Sequence, residues 1–326
     1  MKRGNLIKGN FFSTTHKRKN KMKVGYVALV GRPNVGKSTL LNTILGQKVA
    51  IISNKPQTTR TSILGIKTTE KGQIIFVDNP GIHKPLHSLN RRMMNFVYSS
   101  LETADLVNLL IDATLKFGHG DEFVIETLQR ISTPKILLIN KVDIIKKEKI
   151  LPIIDKYKDL LDFKEIIPIS ALKGTNVDVF EEKIYDFLPE AEKIYSDDEI
   201  SVQSDKFLFS EIIREKLLSH VEQELPFVTA VYIDIIDDYE EEAPSEKPDE
   251  KREPKKYIKA TIFVEKDSHR RIVIGKQGRL IKAIGTEARK ELAKVLGTRV
   301  FLDLWVKVRE KWRDKADVLD LIEGQR

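Results

Sequence analysis

Short apolar, β-branched runs alternate with longer amphipathic stretches from Lys23 to about Phe187, the pattern of a parallel sheet with helices on both faces. The runs predict strands at 24–30, 63–69, 73–77, 106–112, 135–140 and 165–169. The stretches between them predict helices near 37–45, 88–102, 121–131, 147–157 and 177–187. Glu70-Lys71-Gly72 is too short for a crossover, so the second and third strands must pair as an antiparallel hairpin. The expected fold class is α/β, a mostly parallel six-stranded sheet with one antiparallel strand.

Past Phe187 the pattern changes. A helix over 205–218 leads to a strand from Val228 to Ile236, an acidic run, and a second strand from Tyr257 to Val264. Paired helices around Gly275-Lys276-Gln277-Gly278 and a last strand, Val300 to Val308, complete an α+β unit. The chain thus divides into a basic arm (1–21), a first domain (22–188), a linker (189–204), a second domain (205–313) and a C-terminal tail (314–326). Nothing in the sequence couples Gly278 of the second domain to the geometry of the Gly31–Ser38 loop in the first.

The chemistry of the first domain gathers at the carboxyl ends of its predicted strands, where nucleotide sites of such sheets lie. The first strand runs into Gly31-Arg32-Pro33-Asn34-Val35-Gly36-Lys37-Ser38, followed from Thr39 by helical apolar spacing. This is G-x-x-x-x-G-K-S/T in the strand, loop and helix context the motif requires. Backbone N–H groups of the turn and the positive helix end replace water around a polyphosphate. Lys37 supplies a point charge for the β- and γ-phosphates, and the Ser38 hydroxyl is placed to hold Mg2+. After the third strand, Asp78-Asn79-Pro80-Gly81 offers a carboxylate to that ion and the Gly81 N–H to the γ-phosphate.

After the fifth strand comes Asn140-Lys141-Val142-Asp143. The Asp143 carboxylate is a pair of acceptors matching the N1–H and exocyclic amino donors of guanine; adenine has no such amino group and presents an acceptor at N1. A carboxylate left unpaired on the wrong base costs several kcal/mol, which is a large discrimination. The Lys141 stem can cover a base face, and Asn140 can tie this loop to the phosphate loop. After the sixth strand, Ser170-Ala171-Leu172-Lys173-Gly174 presents the Ala171 N–H to guanine O6. An ATP site would leave both of these loops unexplained. Residues 48–62 are polar and turn-rich and contain Gln57-Thr58-Thr59-Arg60, a loop whose hydroxyl can complete a magnesium shell only while a γ-phosphate holds it.

In the second domain the centre is Ile272 to Gly285. A G-x-x-G turn between apolar flanks lets the backbone approach a nucleic-acid strand with no Cβ in the way. This is the signature of a KH domain, which clamps about four nucleotides of single strand. Ile274, Gly275, Lys276, Gln277, Gly278, Arg279 and Lys282 are the candidate RNA contacts.

Composition sharpens this reading. The 326 residues hold no cysteine, which excludes disulfides, thiolate nucleophiles and cysteine-ligated zinc, and no apolar run is long enough to span a membrane. The formal charge of +8 suggests a nucleic-acid partner, but residues 1–21 alone carry +7 and the other 305 only +1. That arm reads as an RNA-contacting tail, an organellar transit segment, or an extension upstream of a start at Met22. Within the second domain, residues 266–290 carry a net +6, a phosphate-binding face, and residues 237–253 a net −6, an acidic loop between strands.

The boxes Gly31–Ser38, Gln57–Arg60, Asp78–Gly81, Asn140–Asp143 and Ser170–Gly174 resemble those of translation-factor-class GTPases. With Pro80-Gly81-Ile82-His83-Lys84-Pro85 and a C-terminal KH domain, residues 22–313 resemble the Era-like family of ribosome-assembly GTPases. The resemblance implies a Ras-like P-loop GTPase fold followed by a type II KH domain, with GTP or GDP and Mg2+ as ligands. It implies Thr59, rather than Thr58, as the magnesium ligand of the loop, and Asn34 as the residue that holds a potassium ion. It also implies binding of the 3′ end of 16S rRNA, a role in 30S subunit maturation, and a monomer in the cytoplasm with peripheral contact to the inner membrane. Lys37, Asn34 and Thr59 are the expected catalytic set. Ile82 stands where Ras-type enzymes place a water-orienting glutamine and cannot hydrogen-bond water, so turnover should be slow. Asn79, Gln277 and the acidic run depart from the family pattern. Two function classes compete: a GTP-hydrolysing RNA switch, and an RNA-binding scaffold whose GTP site is structural or sensory.

Overall fold

A computed structural model describes residues 21–239 and 255–325. The first domain runs β1 (Met22–Gly31), α1 (Lys37–Leu45), β2 (Ile63–Thr68), β3 (Gly72–Asp78), α2 (Ser88–Thr103), β4 (Leu106–Asp112), α3 (His119–Gln129), β5 (Lys135–Asn140), α4 (Ile150–Tyr157), β6 (Phe163–Pro168) and α5 (Val177–Ile184). The strands lie in the order β2-β3-β1-β4-β5-β6, all parallel except β2, which pairs antiparallel with β3 as the three-residue connection demands. Alternate β1 residues serve the two faces. Val27 and Leu29 join Leu40 and Leu41 of α1 and Phe180 of α5, while Ala28 and Val30 join Met94 and Val97 of α2 and Val124 of α3. Burial on both faces is why β1 reads as a continuous apolar run.

The segment after Leu188 is more structured than a linker. β7 (Glu190–Ala191) pairs antiparallel with Met22 and Lys23 and makes the sheet seven-stranded. Fully buried Gln73 holds the chain just beyond β7: its Oε1 accepts from Ile194 N and Tyr195 N, each at 2.9 Å, and its Nε2 donates to the Tyr195 carbonyl at 2.8 Å. Buried amides are as a rule fully hydrogen-bonded, and here three of the bonds come from the connecting segment and one from Thr68 of β2. Ile66 N donates to the Ile200 carbonyl at 2.9 Å, which occupies the outer edge of β2.

The second domain comprises α6 (Asp205–His220), α7 (Leu225–Val228), β8 (Ala230–Tyr239), β9 (Lys255–Val264), α8 (Asp267–Ile274), α9 (Arg279–Leu296) and β10 (Arg299–Val308). Its sheet order is β10-β9-β8, with β9 parallel to β10 and antiparallel to β8, the element order of a type II KH domain. The strand expected from Val228 starts two residues later, because Leu225–Val228 form a helical turn with Pro226 near its start. The arm through Asn20 and the acidic run from Glu240 to Pro254 lie outside the described residues.

The tail is part of the fold. Among the described residues after Val308, Trp312–Asp314 make a turn and Ala316–Glu323 form α10, which pack on the sheet face opposite α6 and α9. There Trp312, Val318 and Leu319 meet Ala230 and Phe263 of the sheet and Leu89 and Met93 of α2, one apolar cluster shared by both domains. Arg92 of α2 pairs with Asp320 at 2.6 Å and Glu323 at 3.0 Å, and Ser88 N donates to Asp314 at 2.8 Å. The Trp312 indole N–H donates to the Val228 carbonyl at 2.8 Å, and its ring is 1% exposed. Trp312→Ala should therefore cost about 3–5 kcal/mol through lost burial and a cavity. Trp305→Ala, which removes a half-exposed indole from the same domain, should cost about 1 kcal/mol or less. Denaturant melts of the two variants test the contrast.

Candidate functional site

The loops after β1, β3, β5 and β6 meet the 48–62 loop around a cavity of about 460 Å3 at the carboxyl ends of the strands. The first loop must be tight. A Cβ on Gly31 would lie 2.3 Å from the Leu110 carbonyl, and one on Gly36, which has φ +103°, would lie 2.2 Å from Asn140 Nδ2. Only glycine fits these positions. Asn140, 2% exposed, then pins three loops: its Nδ2 donates to the Val35 carbonyl at 2.7 Å and its Oδ1 accepts from Ala171 N at 2.9 Å. Lys141 stretches across the same loops, donating to the Asn34 carbonyl at 3.0 Å and to Asp112 at 2.6 Å. Burial would raise the Asp112 carboxyl, but hydrogen bonds from Lys141 and Thr114 hold it below the usual carboxylate range. The base loop had no sequence signal for Asp112, since only the β4–β5 pairing brings it beside Lys141.

At the phosphate end, Ser38 Oγ donates to Asp78 Oδ2 at 2.6 Å, so the 2.9 Å contact between Ser38 and Thr59 is a bond donated by Thr59. The Thr58 hydroxyl is committed elsewhere, to the Lys55 carbonyl at 2.6 Å. Lys37 and Asp78 are both buried. Burial pushes the Lys37 ammonium down to about 8 against the pull of Asp78, and pushes the Asp78 carboxyl up to about 6 against Lys37 and the Ser38 hydroxyl. The second carboxylate oxygen, Asp78 Oδ1, is buried without a partner. A corner of this kind, with hydroxyls converging on a carboxylate short of one partner, suits a hard divalent cation beside a polyanion.

Pro33, Asn34, Gly36, Lys37, Ser38 and Thr39 all line the cavity, as do Gly81, Asn140, Lys141, Asp143, Ala171 and Leu172. Asp143 stands exposed on the rim, and Val35 is a core residue that contributes backbone only. Two predicted residues turn their side chains away. Arg32 reaches back to Asp121 of α3 at 2.8 Å, leaving its carbonyl to accept from Lys37 at 3.0 Å. Ser170 is fully buried, its hydroxyl accepting from Lys173 N at 3.1 Å, so it shapes the loop.

Ile82 packs into the apolar cluster beneath the sheet, 1% exposed. Residues that sequence reasoning passed over support the loop after β3. His83 Nδ1 donates to the Gly81 carbonyl at 2.6 Å, which leaves Nε2 to accept from buried Asn90 at 2.5 Å. Asn79 is fully buried and satisfied, accepting from Ser62 at 2.9 Å and donating to the Val77 carbonyl at 3.2 Å. Asn34 Nδ2 donates to the Asn54 carbonyl at 2.7 Å, which joins the phosphate loop to the 48–62 loop.

That loop also belongs to the second domain, a coupling the sequence did not reveal. The Arg60 guanidinium donates to the Thr229 and Pro226 carbonyls at 2.7 and 2.8 Å and lies 5.7 Å from the Trp312 ring centre. Arg214 of α6 donates to the Thr58 carbonyl, and Glu215 accepts from Lys48 at 2.5 Å and Ile52 N at 3.1 Å. In the KH turn, Gly275 has φ +75° and a Cβ there would lie 2.7 Å from Leu280 Cβ. Gln277 at φ +53° and Gly278 at φ +74° are also left-handed, and a Cβ on Gly278 would meet no protein atom within 4 Å. Lys276, Gln277, Arg279 and Lys282 are exposed, and Ile274 is half-buried beneath them.

Residues 26–141 match the family model described as a 50S ribosome-binding GTPase, and residues 239–313 match that of a KH domain. Crystal structures of Era are similar to both domains together. One, in complex with MgGDPNP and nucleotides 1506–1542 of 16S ribosomal RNA, is 42% identical, covers 92% of this chain and 98% of that chain, and has a TM-score of 0.83. Another, an Aquifex aeolicus Era variant bound to GDP·AlF4−, is 41% identical over 92% of this chain and 99% of that chain, also with a TM-score of 0.83.

Asn140→Ala would delete both cross-loop bonds and leave the buried Ala171 N–H unpaired. The expected loss is about 2–3 kcal/mol of stability, read from denaturant unfolding. Asn140→Asp should recover part of it, since its Oδ1 can still accept from Ala171.

Proposed function

The chain belongs to the Era family of GTPases with a C-terminal KH domain, and from that membership we propose that it is a GTP-hydrolysing switch which binds the 3′ end of 16S rRNA and assists 30S subunit assembly. The observation that carries this reading is the meeting of phosphate loop, Asp78, Thr59 and the two base loops at one cavity. The P-loop N–H groups and Lys37 bind the β- and γ-phosphates of GTP, Asp143 and the Ala171 N–H read guanine, and Lys141 covers the base. Ser38, Thr59 and Asp78 are the residues that would hold Mg2+, which when bound neutralises charge on the phosphate oxygens. The buried, partnerless Asp78 Oδ1 supports that assignment.

Ile82 supplies no hydrogen bond to water, so unassisted turnover should be on the order of the unassisted Ras rate, roughly 10⁻³ s⁻¹, or not far above it. The small-subunit target rests on likeness along the whole chain to the Era–RNA complex, whereas the 50S description belongs to a model matching only residues 26–141. By resemblance the protein is a cytoplasmic monomer with peripheral contact to the inner membrane. No helix among the described residues is long and apolar enough to cross a bilayer.

A scaffold with a merely structural GTP site would release no phosphate over repeated turnovers of purified protein, and that measurement separates the two function classes. Asn34 and the Asn54 carbonyl converge beside the phosphate loop, where a potassium ion would stabilise charge developing between the β- and γ-phosphates. Hydrolysis should be faster in potassium than in sodium at equal ionic strength, and Asn34→Ala should remove the difference. Equal rates for the unmodified protein would overturn the potassium assignment.

Gly278→Asp should fold, because φ +74° is tolerated by Asp and the site is open. Its carboxylate would face RNA phosphates, so affinity for a single strand ending in the 3′ small-subunit sequence should fall at least about tenfold. Basal hydrolysis without RNA should hold, as no contact joins Gly278 to the nucleotide cavity. Unchanged RNA binding would overturn the KH reading.

A further inference from the structure

Side chains along β10 alternate between the two faces of the KH sheet. Val300, Leu302, Leu304 and Val306 pack in the helix-side cluster. The intervening residues lie on the outer face. The shared cluster of α2 and α10 covers that face only where it meets Ala230 and Phe263. Away from it, Phe301 is 55% exposed and Trp305 51%.

Both rings are held in place. Tyr257 stacks beside Phe301 with centres 5.8 Å apart and planes 19° from parallel, and the Trp305 indole N–H donates to Asp303 at 2.8 Å. The Lys259 ammonium sits 5.6 Å from the Trp305 ring centre. Charge on this face is divided. Lys259, Arg299 and Lys307 lie along β9 and β10, while Asp234 and Asp237 lie on β8; the one carboxylate on β10 between the rings, Asp303, accepts from the Trp305 indole and the Tyr257 hydroxyl. Three cations against that one bonded carboxylate favour a polyanion along β10 over β8. A cleft of about 350 Å3 between α9 and β10, lined by Arg289, Lys290, Ala293, Arg299, Val300 and Phe301, leads from the helix side to the first ring.

We propose that single-stranded RNA leaving the KH groove crosses the β10 edge through this cleft and stacks bases on Phe301 and Trp305, with Arg289, Arg299, Lys259 and Lys307 at its phosphates. The proposal rests on the KH reading above and extends it. Charged residues are depleted at the centre of a protein–protein interface, whereas cations beside exposed, immobilised rings are the pattern of single-strand platforms.

The test uses the full chain, a non-hydrolysable GTP analogue and nested single strands of about five to about twelve nucleotides covering the groove sequence. For the unmodified protein, affinity should climb with length. In Phe301→Ala and Trp305→Ala the longest strand should bind about tenfold more weakly while the shortest binds as before, and Trp305→Phe should restore the gain. Basal GTP hydrolysis and melting temperature check that the fold is intact. Equal binding of the longest strand by the double alanine variant and the unmodified protein would overturn the proposal and leave the face to a protein partner. Equal weakening of every length would overturn it too, since the groove itself would then have changed. Gly278→Asp is run alongside: if it weakens no strand, the KH reading fails, an outcome separate from either of these.

Discussion

Arg60 and Arg214 hold the molecule in one piece. Burial pushes the Arg60 guanidinium down to about 9, with Arg214 adding to that and Glu211 opposing it. A cation out of water needs hydrogen bonds or it costs several kcal/mol. Arg60 takes its bonds from the Pro226 and Thr229 carbonyls of the KH domain, and Arg214 takes one from Thr58 and two, each at 2.6 Å, from Glu211. The loop that carries Thr59 is therefore bonded to the KH domain one residue on either side of it. The Thr59 hydroxyl reaches Ser38 only with the backbone held there, so the nucleotide corner and the KH domain share a set of bonds.

Other contacts between the domains differ in weight. Lys48, Lys216, Glu215 and Glu291 make a network at the mouth of a cleft, in which only Lys48 comes from the first domain. The cluster around Trp312, Met93 and Phe263 removes large apolar surfaces from water and fixes the docking geometry. Trp312 links this cluster to the buried arginines, since its ring packs in the cluster and lies against Arg60.

The GTPase loops illustrate how a few rigid elements position a site made almost wholly of turns. The loops after β3 and β5 leave strands that are buried on both faces, and Asn140 and Lys141 bond the loops to one another.

Local patterns were enough to read most of this. Strand and helix periodicity, the antiparallel hairpin forced by Glu70-Lys71-Gly72, the phosphate loop with its glycines, and the G-x-x-G turn all depend on residues within a few positions of one another, and backbone sterics act at that range. What lay outside it needed residues far apart in the chain. β7 pairs with the start of β1, and buried Gln73 of β3 fixes the chain just beyond it. α10 is short, and its worth comes from Leu89 and Met93, more than two hundred positions away. Arg32 looked like a ligand residue until α3 brought Asp121 to it, and Asp112 looked like a strand end until β5 set Lys141 alongside. Sequence by itself determined which loops could hold a nucleotide and which turn could face RNA. Only the tertiary structure decided that the two are joined, because hydrogen bonds to buried arginines are made by backbone carbonyls, and a carbonyl carries no mark of its partner in the sequence.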